Sequence, residues 1–424
     1  MKRCFFLAAW VVLACFCQVY GITVDQAVDS ALKNNISIKK SEFELDNSLR
    51  NKNTSWNSIS PSLSANGSWS KAVPEKDGSK ENMSAGVSLR TTFGTNLFTN
   101  IKSASVAYEQ QQLTYDMAVR TVELNVRKAY WNILFNRERI RLQEQNLLMA
   151  RSQYEKNLAK YQRGVLNRVD VLSAQISMQS AELTLETLKT DFESLVANFA
   201  LTCGFDQGEP LEFDGDFDDI IGGTRIDAKL DEFDSPGVKK IEKQLEVARV
   251  ALTAQRFSNY SPSVTAGYSY TYSSNDGGEN WNDGGTLSLS ATIPLDGLMP
   301  WSTGSNSLHK TKNTVESLEL ELENEKRATE ISKVSSMNRI QQCRTNIAVL
   351  KSSVELAQTN YDMTLEAYNH GTRDLLTLEN SQTGLLSSKV NLYSECYNLV
   401  CAVLDLENLV GADFGTLLIY GGEN

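Results

Sequence analysis

The side chains able to do chemistry are few, and their spacing suits no catalytic site. Only two histidines occur, His309 and His370, and neither meets a cysteine at metal-ligand spacing, so no transition-metal site is expected. Asp214, Asp216, Asp218 and Asp219 resemble a calcium loop, but that loop needs glycine at its sixth position, where Asp219 stands. Three of the seven cysteines fall within the first 17 residues. The others, Cys203, Cys343, Cys396 and Cys401, are too sparse for a disulfide framework and read as small apolar core residues. No phosphate-binding glycine loop, nucleophile elbow or triad spacing is present, so neither an enzyme nor a cofactor is expected. Any driving energy must come from a partner. What remains is polar and aromatic residues, with Val165 and Leu166 beside them, around two glycines: Tyr161, Gly164 and Asp170 in one segment, and Tyr368, His370, Gly371, Thr372, Arg373 and Asp374 in another. They can form caps, ion pairs and hydrogen bonds.

These two segments occupy equivalent places in an internal duplication. Residues 154–204 reappear without a gap at 361–411, so that YQRGVLNRVDVLSAQ answers YNHGTRDLLTLENSQ. Helices must position both. All seven prolines lie outside 75–209 and 301–424; Gly164 is the only glycine between 98 and 203, and Gly371 and Gly384 the only ones between 305 and 410. With breakers so rare, each window reads as two long helices joined at a tight turn. Apolar residues repeat at coiled-coil spacing, as in Leu185, Leu188, Phe192, Leu195 and Phe199, or Ile347, Leu350, Val354, Ala357 and Tyr361. Gly164 and Gly371 suit the left-handed position that ends a helix. Asn167 and Asp374 suit the N-cap of the next one, with Asp170 better placed than Thr377 to complete a capping box.

Ahead of each helical window lie two alternating segments, PSLSANGSWS (61–70) and SAGVSLRTTF (84–93), then PSVTAGYSYT (262–271) and TLSLSATIPL (286–295). One face of each is apolar and the other is mostly Ser, Thr and Gly. About ten residues is the length that a tilted strand needs to cross a bilayer. Four strands cannot close a barrel, and an open edge is not tolerated in hydrocarbon, so copies of the chain must pool their strands. Two copies give eight strands and a filled interior; three give twelve and room for water. The chain begins with Lys2 and Arg3, an apolar run from Cys4 to Cys17, and Val19-Tyr20-Gly21, the pattern of a secretory signal. Val12-Leu13-Ala14-Cys15 also resembles a lipoprotein cleavage box, which would leave a lipid anchor at Cys15. No run of 18 apolar residues follows residue 22, so any membrane crossing is by strands. The formal net charge of −11 argues against nucleic acid as partner.

In this setting the chain resembles the TolC-like outer-membrane efflux proteins, or outer membrane factors, over nearly its whole mature length. ITVDQAVDSALKNNISIK (22–39) is similar to the family's first helix, with Ser37 where proline is usual. SPSL and SPSV resemble its strand entries, and the two repeated segments resemble its helical-hairpin motif. The resemblance implies a mostly α fold with a β-barrel portion: two repeats that trimerise into a 12-stranded barrel in the outer membrane, on an α-helical barrel in the periplasm. The implied partners are two further copies of the chain, a periplasmic adaptor, an inner-membrane transporter and outer-membrane lipid. The implied role is the exit duct of a tripartite efflux or type I secretion system.

At the periplasmic tips, Gly164, Val165, Leu166, Gly371 and Thr372 would meet the adaptor, and Tyr161, Asp170, Tyr368, Arg373 and Asp374 would gate the pore. Tyr368 and Arg373 match residues that tether neighbouring helices in closed members, with Asp170 a candidate partner for Arg373. Thr377 and Asn380 stand where some members carry aspartate rings. The expected divisions are a signal peptide at 1–21, a first repeat at 22–210 (strands about 61–70 and 84–93, hairpin about 98–203), and an equatorial linker at 211–236 that takes in the acidic stretch Asp214 to Asp234. A second repeat follows at 237–424 (strands about 262–272 and 286–295, hairpin about 305–410). The alternative is a soluble periplasmic coiled-coil adaptor, with the strands in a soluble sheet.

Overall fold

Glycine and asparagine place the breaks between the helices. The computed structural model describes residues 21–71, 81–206, 211–222, 224–226 and 234–420; the leader with Cys15, and part of the acidic stretch 214–234, lie outside them. From the amino end the elements are α1 (Val24–Asn34), α2 (Ile36–Asn53), β1 (Ser62–Ser70), β2 (Asn82–Gly94), α3 (Asn96–Gln162), α4 (Arg168–Cys203) and the short α5 (Asp218–Gly222). There follow β3 (Thr224–Ile226), α6 (Pro236–Tyr260), β4 (Ser263–Ser274), β5 (Asn282–Thr292), α7 (Thr303–Asn369), α8 (Leu375–Val410) and β6 (Leu418–Tyr420). The resemblance treats 22–39 as one helix. Asn35 breaks it instead, its side chain accepting from Ser37 N at 2.8 Å as the cap of α2.

The duplication is carried into the backbone. α3 and α7 each have 67 residues, and α4 and α8 each have 36. A 67-residue helix is about 100 Å long, so α4 and α8 flank only part of their partners, and other helices stack on their ends. α2 starts where α4 stops, with Asn35 Nδ2 donating to Thr202 O at 3.0 Å and Ser30 Oγ to Cys203 O at 2.9 Å. α6 likewise starts against the end of α8. Gly204 and Gly411 close the two helices at φ +74 and +84. A Cβ at Gly204 would lie 2.3 Å from Asn34 Cβ, and one at Gly411 would lie 2.8 Å from Asp234 O. Both joints therefore require glycine for space as well as for backbone angle. Side by side, α4 packs on α3, α3 on α8 and α8 on α7; past the joints the order is α2, α3, α6, α7.

The main core lies at these joints, around the middle of the long helices. Tyr130, Phe199 and Phe213 meet edge-on or tilted, and Phe217 and Ile220 close over Trp131 and α8. Glu407, fully buried, accepts from Gly415 N at 3.0 Å and Leu417 N at 2.9 Å, so it staples the carboxy-terminal segment down. Its burial pushes the carboxyl pKa up. Cys203, Cys343 and Cys396 are buried free thiols, pushed up by burial to about 12, about 11 and about 12. Such thiols are inert packing residues.

At one end the four long strands form an antiparallel sheet in the order β1-β2-β4-β5, with β1 and β5 at its unpaired edges. Register aligns side chains of one kind. Leu63, Leu89, Tyr268 and Leu287 form one row, and Ser64, Ser88, Ser269 and Thr286 form a row on the opposite face. β3 and β6 pair separately at the middle of the helices.

Candidate functional site

At the other end the two helical hairpins turn on the same backbone. Gly164 and Gly371 both have φ +75, each amide donating to the tyrosine three residues earlier: Gly164 N to Tyr161 O at 2.8 Å, Gly371 N to Tyr368 O at 3.0 Å. The next amide reaches one residue further back, Val165 N to Lys160 O at 3.0 Å and Thr372 N to Ala367 O at 2.9 Å. This crossed pair satisfies carbonyls that the helix end leaves open. A Cβ at either glycine would meet nothing within 4 Å, so the left-handed angle is the only demand there.

The N-caps depart from the expected pattern. Asn167 has cap geometry, but its side chain makes no cap hydrogen bond, and no capping box forms with Asp170. Asp374 does cap α8, accepting from Thr377 N at 3.1 Å and from the Thr377 hydroxyl. Those two bonds, from the side chain and then the backbone of Thr377, hold its carboxyl below the usual carboxylate range. Neither helix forms the reciprocal capping box; at α8 the Thr377 hydroxyl instead adds a second donor to the Asp374 carboxylate.

The aromatic residues part company as well. Tyr368 is 6 % exposed and Tyr361 9 %, within a cluster containing Ala174, Leu375, Leu378 and Leu385. Tyr161, the counterpart of Tyr368, is 42 % exposed. The Tyr368 hydroxyl donates to Asn157 Oδ1 at 2.7 Å, Gln153 Nε2 donates to the same oxygen at 2.9 Å, and Lys160 Nζ lies 4.9 Å from the ring centroid. Burial is the main reason that the phenol pKa is raised; Asp170, half-buried on α4, raises it further. Asn157 is fully buried, and its Nδ2 has no hydrogen-bond partner.

Two further polar contacts join the hairpins: Gln382 Nε2 to Asn146 Oδ1 at 2.6 Å, and Ser177 Oγ to Glu379 Oε1 at 2.7 Å. Sequence reasoning missed Asn157, Asn146, Ser177 and Glu379. The signal for Asn157 was an asparagine three residues after Tyr154 and four before Tyr161, a seam position in a coiled coil. Arg373 and Asp170 form no ion pair with each other, and Val165, Thr372, Arg373 and Asp374 are exposed. Leu166 is half-buried. Among the described residues no three His, Cys, Asp or Glu side chains converge as metal ligands. The arrangement is one of hydrogen bonds between the hairpins, and among the described residues no group near it is set for covalent chemistry.

A profile of the outer membrane efflux protein family matches residues 27–201 and 234–412. No curated protein matches the sequence. Among solved structures the fold is similar to CusC, with 14 % identity, a TM-score of 0.73 and 92 % of each chain covered. It is also similar to the CmeC outer membrane channel of Campylobacter jejuni, at 16 % identity and a TM-score of 0.72, covering 95 % of this chain and 87 % of that one. The MtrE outer membrane channel of Neisseria gonorrhoeae, solved in an open state, shares 17 % identity at a TM-score of 0.69, covering 93 % of this chain and 90 % of MtrE.

Proposed function

The chain belongs to the outer membrane efflux protein family, and from that premise we propose that three copies close into one passive exit duct. The barrel crosses the outer membrane, and the helical tube projects into the periplasm. The duct takes cargo from an inner-membrane pump through an adaptor that docks on the tips carrying Gly164, Val165, Leu166, Gly371 and Thr372. Type I secretion and small-molecule efflux both fit this frame.

The observation that carries the reading is the unfinished flanks of the protomer. β1 and β5 have unpaired edges, and Leu287 and Leu289 are 82 % and 78 % exposed on the apolar face. A soluble sheet would cover such residues; a bilayer does so for a barrel. The helical flanks match. α4 exposes Val169, Leu172, Ile176 and Leu183, and α7, on the other flank, exposes Val349, Leu356 and Met363 at seven-residue intervals. Two coiled-coil stripes on opposite sides of one protomer are satisfied when α4 of one copy meets α7 of the next, and a head-to-tail contact of that kind closes a ring.

The gate in this reading is the set of contacts that hold the second hairpin to the first, led by Tyr368 on Asn157. Adaptor binding at the exposed tips opens the pore by breaking them. Arg373 and Asp170, which form no ion pair within one copy, pair across a subunit boundary in this reading. MtrE, with a similar fold, has been captured open. The test is the mass and conductance of detergent-extracted mature protein: a trimer of low conductance, raised by Tyr368→Phe, is expected. A soluble monomer without conductance overturns the reading in favour of a periplasmic adaptor.

A further inference from the structure

The polar face of the four-stranded sheet carries one charge among the described residues. Its rows are Ser64, Ser88, Ser269 and Thr286; Thr92, Thr265 and Ser290; and, between them, Ser62, Arg90, Gly267 and Ser288. The strands contain one other charged residue, Asp283, which shares the apolar face with Tyr272 and is held by the Tyr270 hydroxyl. Lys71 and Glu81 lie beyond the far ends of β1 and β2 and pair with each other at 3.2 Å. Arg90 is exposed, and no ion pair to it is formed within the protomer. Gly267 beside it has no side chain to cover the guanidinium, and a Cβ there would lie 2.9 Å from Ser288 Oγ.

We propose that Arg90, repeated around the closed barrel, forms a ring of three guanidinium groups that makes the barrel lumen prefer anions, from chloride to carboxylate- or phosphate-bearing cargo. The inference rests on the trimeric-duct reading, which places the polar face inward. Twelve strands about 4.8 Å apart and tilted about 40° enclose a backbone radius of roughly 12 Å. An extended arginine covers about half of that, leaving each charge ~6 Å from the axis, inside the Debye length of about 8 Å at physiological ionic strength. One such charge in a water-like medium enriches a small anion on the axis nearly twofold, and three together about fivefold. Ser, Thr and Gly neighbours offer no opposing charge. A ring of this type sets ion preference by its charge.

The experiment is reversal potential in planar bilayers under an about tenfold KCl gradient in dilute salt, where screening is weak. Trimers carrying Tyr368→Phe are used throughout, so that the tip contributes the same term to every variant. Arg90→Gln is expected to lower the chloride-to-potassium permeability ratio about threefold or more, Arg90→Glu to lower it further, and Arg90→Lys to leave it near the starting value. In about 1 M salt, where the Debye length is ~3 Å, the differences are expected to collapse. Arg90→Cys in the assembled trimer is expected to react with a charged, membrane-impermeant thiol reagent, which separates a lumen-facing position from a misfolded variant. A conducting trimer whose ratio does not move in Arg90→Gln or Arg90→Glu, or an Arg90→Cys trimer whose introduced thiol stays unreactive, overturns the ring alone. No pore at all from the unaltered chain overturns the duct reading and the ring with it.

Discussion

The two hairpin tips share a backbone and differ in what their side chains do with it. Both turn at a glycine with φ +75, between helices of equal length, through the same crossed hydrogen bonds. Yet the second tip buries its tyrosine against Asn157 and caps its outgoing helix with Asp374, while the first leaves Tyr161 in water and Asn167 without a cap bond. The difference teaches that duplication supplied two copies of a shape, and that side-chain contacts then made them unequal. The second hairpin is the one held; the first provides part of what holds it.

The largest test of that inequality is truncation of the paired tyrosines. Tyr368→Ala empties a buried site and strands Asn157, and is expected to cost about 3 kcal/mol or more of local stability. Tyr161→Ala, at a solvated position, is expected to stay within about 0.5 kcal/mol. Hydrogen exchange of the amides around each turn reads both, and equal losses of protection would remove the asymmetry. The glycines should behave alike, because neither has a neighbour to clash with. Gly164→Ala and Gly371→Ala are each expected to cost about 1 to 2 kcal/mol, from the left-handed angle alone. A clear inequality would mean that the turns are not equivalent even as backbone.

The smallest effect is on pH. Asp374 has a folded pKa below its unfolded value, so its contribution is present above the ordinary aspartate range and is lost as pH falls through the depressed pKa. The first turn of α8 is expected to fray on acidification below that range, while α4, which has no side-chain cap bond to lose, keeps the protection it has. Exchange measured from neutral pH into strong acid decides it, and parallel fraying of both helices would count against the cap.

Much of the fold was legible because its signals are local. The scarcity of glycine and proline marked the long helices, Gly164 and Gly371 marked their turns, and the seven-residue stripes marked a seam. Leu185, Phe199, Ile347 and Tyr361 are buried, and Leu188, Phe192, Leu195, Leu350, Val354 and Ala357 are half-buried, as that stripe requires. Alternation likewise marked the four strands, and register then sorted their serines and leucines onto opposite faces. The joints were harder to read. The break at Asn35 and the stacking of α2 on α4 depend on residues about 170 positions apart meeting end to end, and no periodicity reports that. Of the two caps, Asp374 holds its helix as expected and Asn167 makes no cap bond, because residue type alone does not say whether a side chain gives its hydrogen bond to its own helix.

By itself the sequence determined the long helices, the glycine turns that join them and the four alternating strands, each kind twice over. These properties depend on backbone torsion and side-chain period, which neighbouring residues set. Only the tertiary structure decided which tip is held. Tyr161 and Tyr368 occupy the same place in the same motif, and their environments differ because α3 brings Asn157 and Lys160 to one of them, while the other faces water.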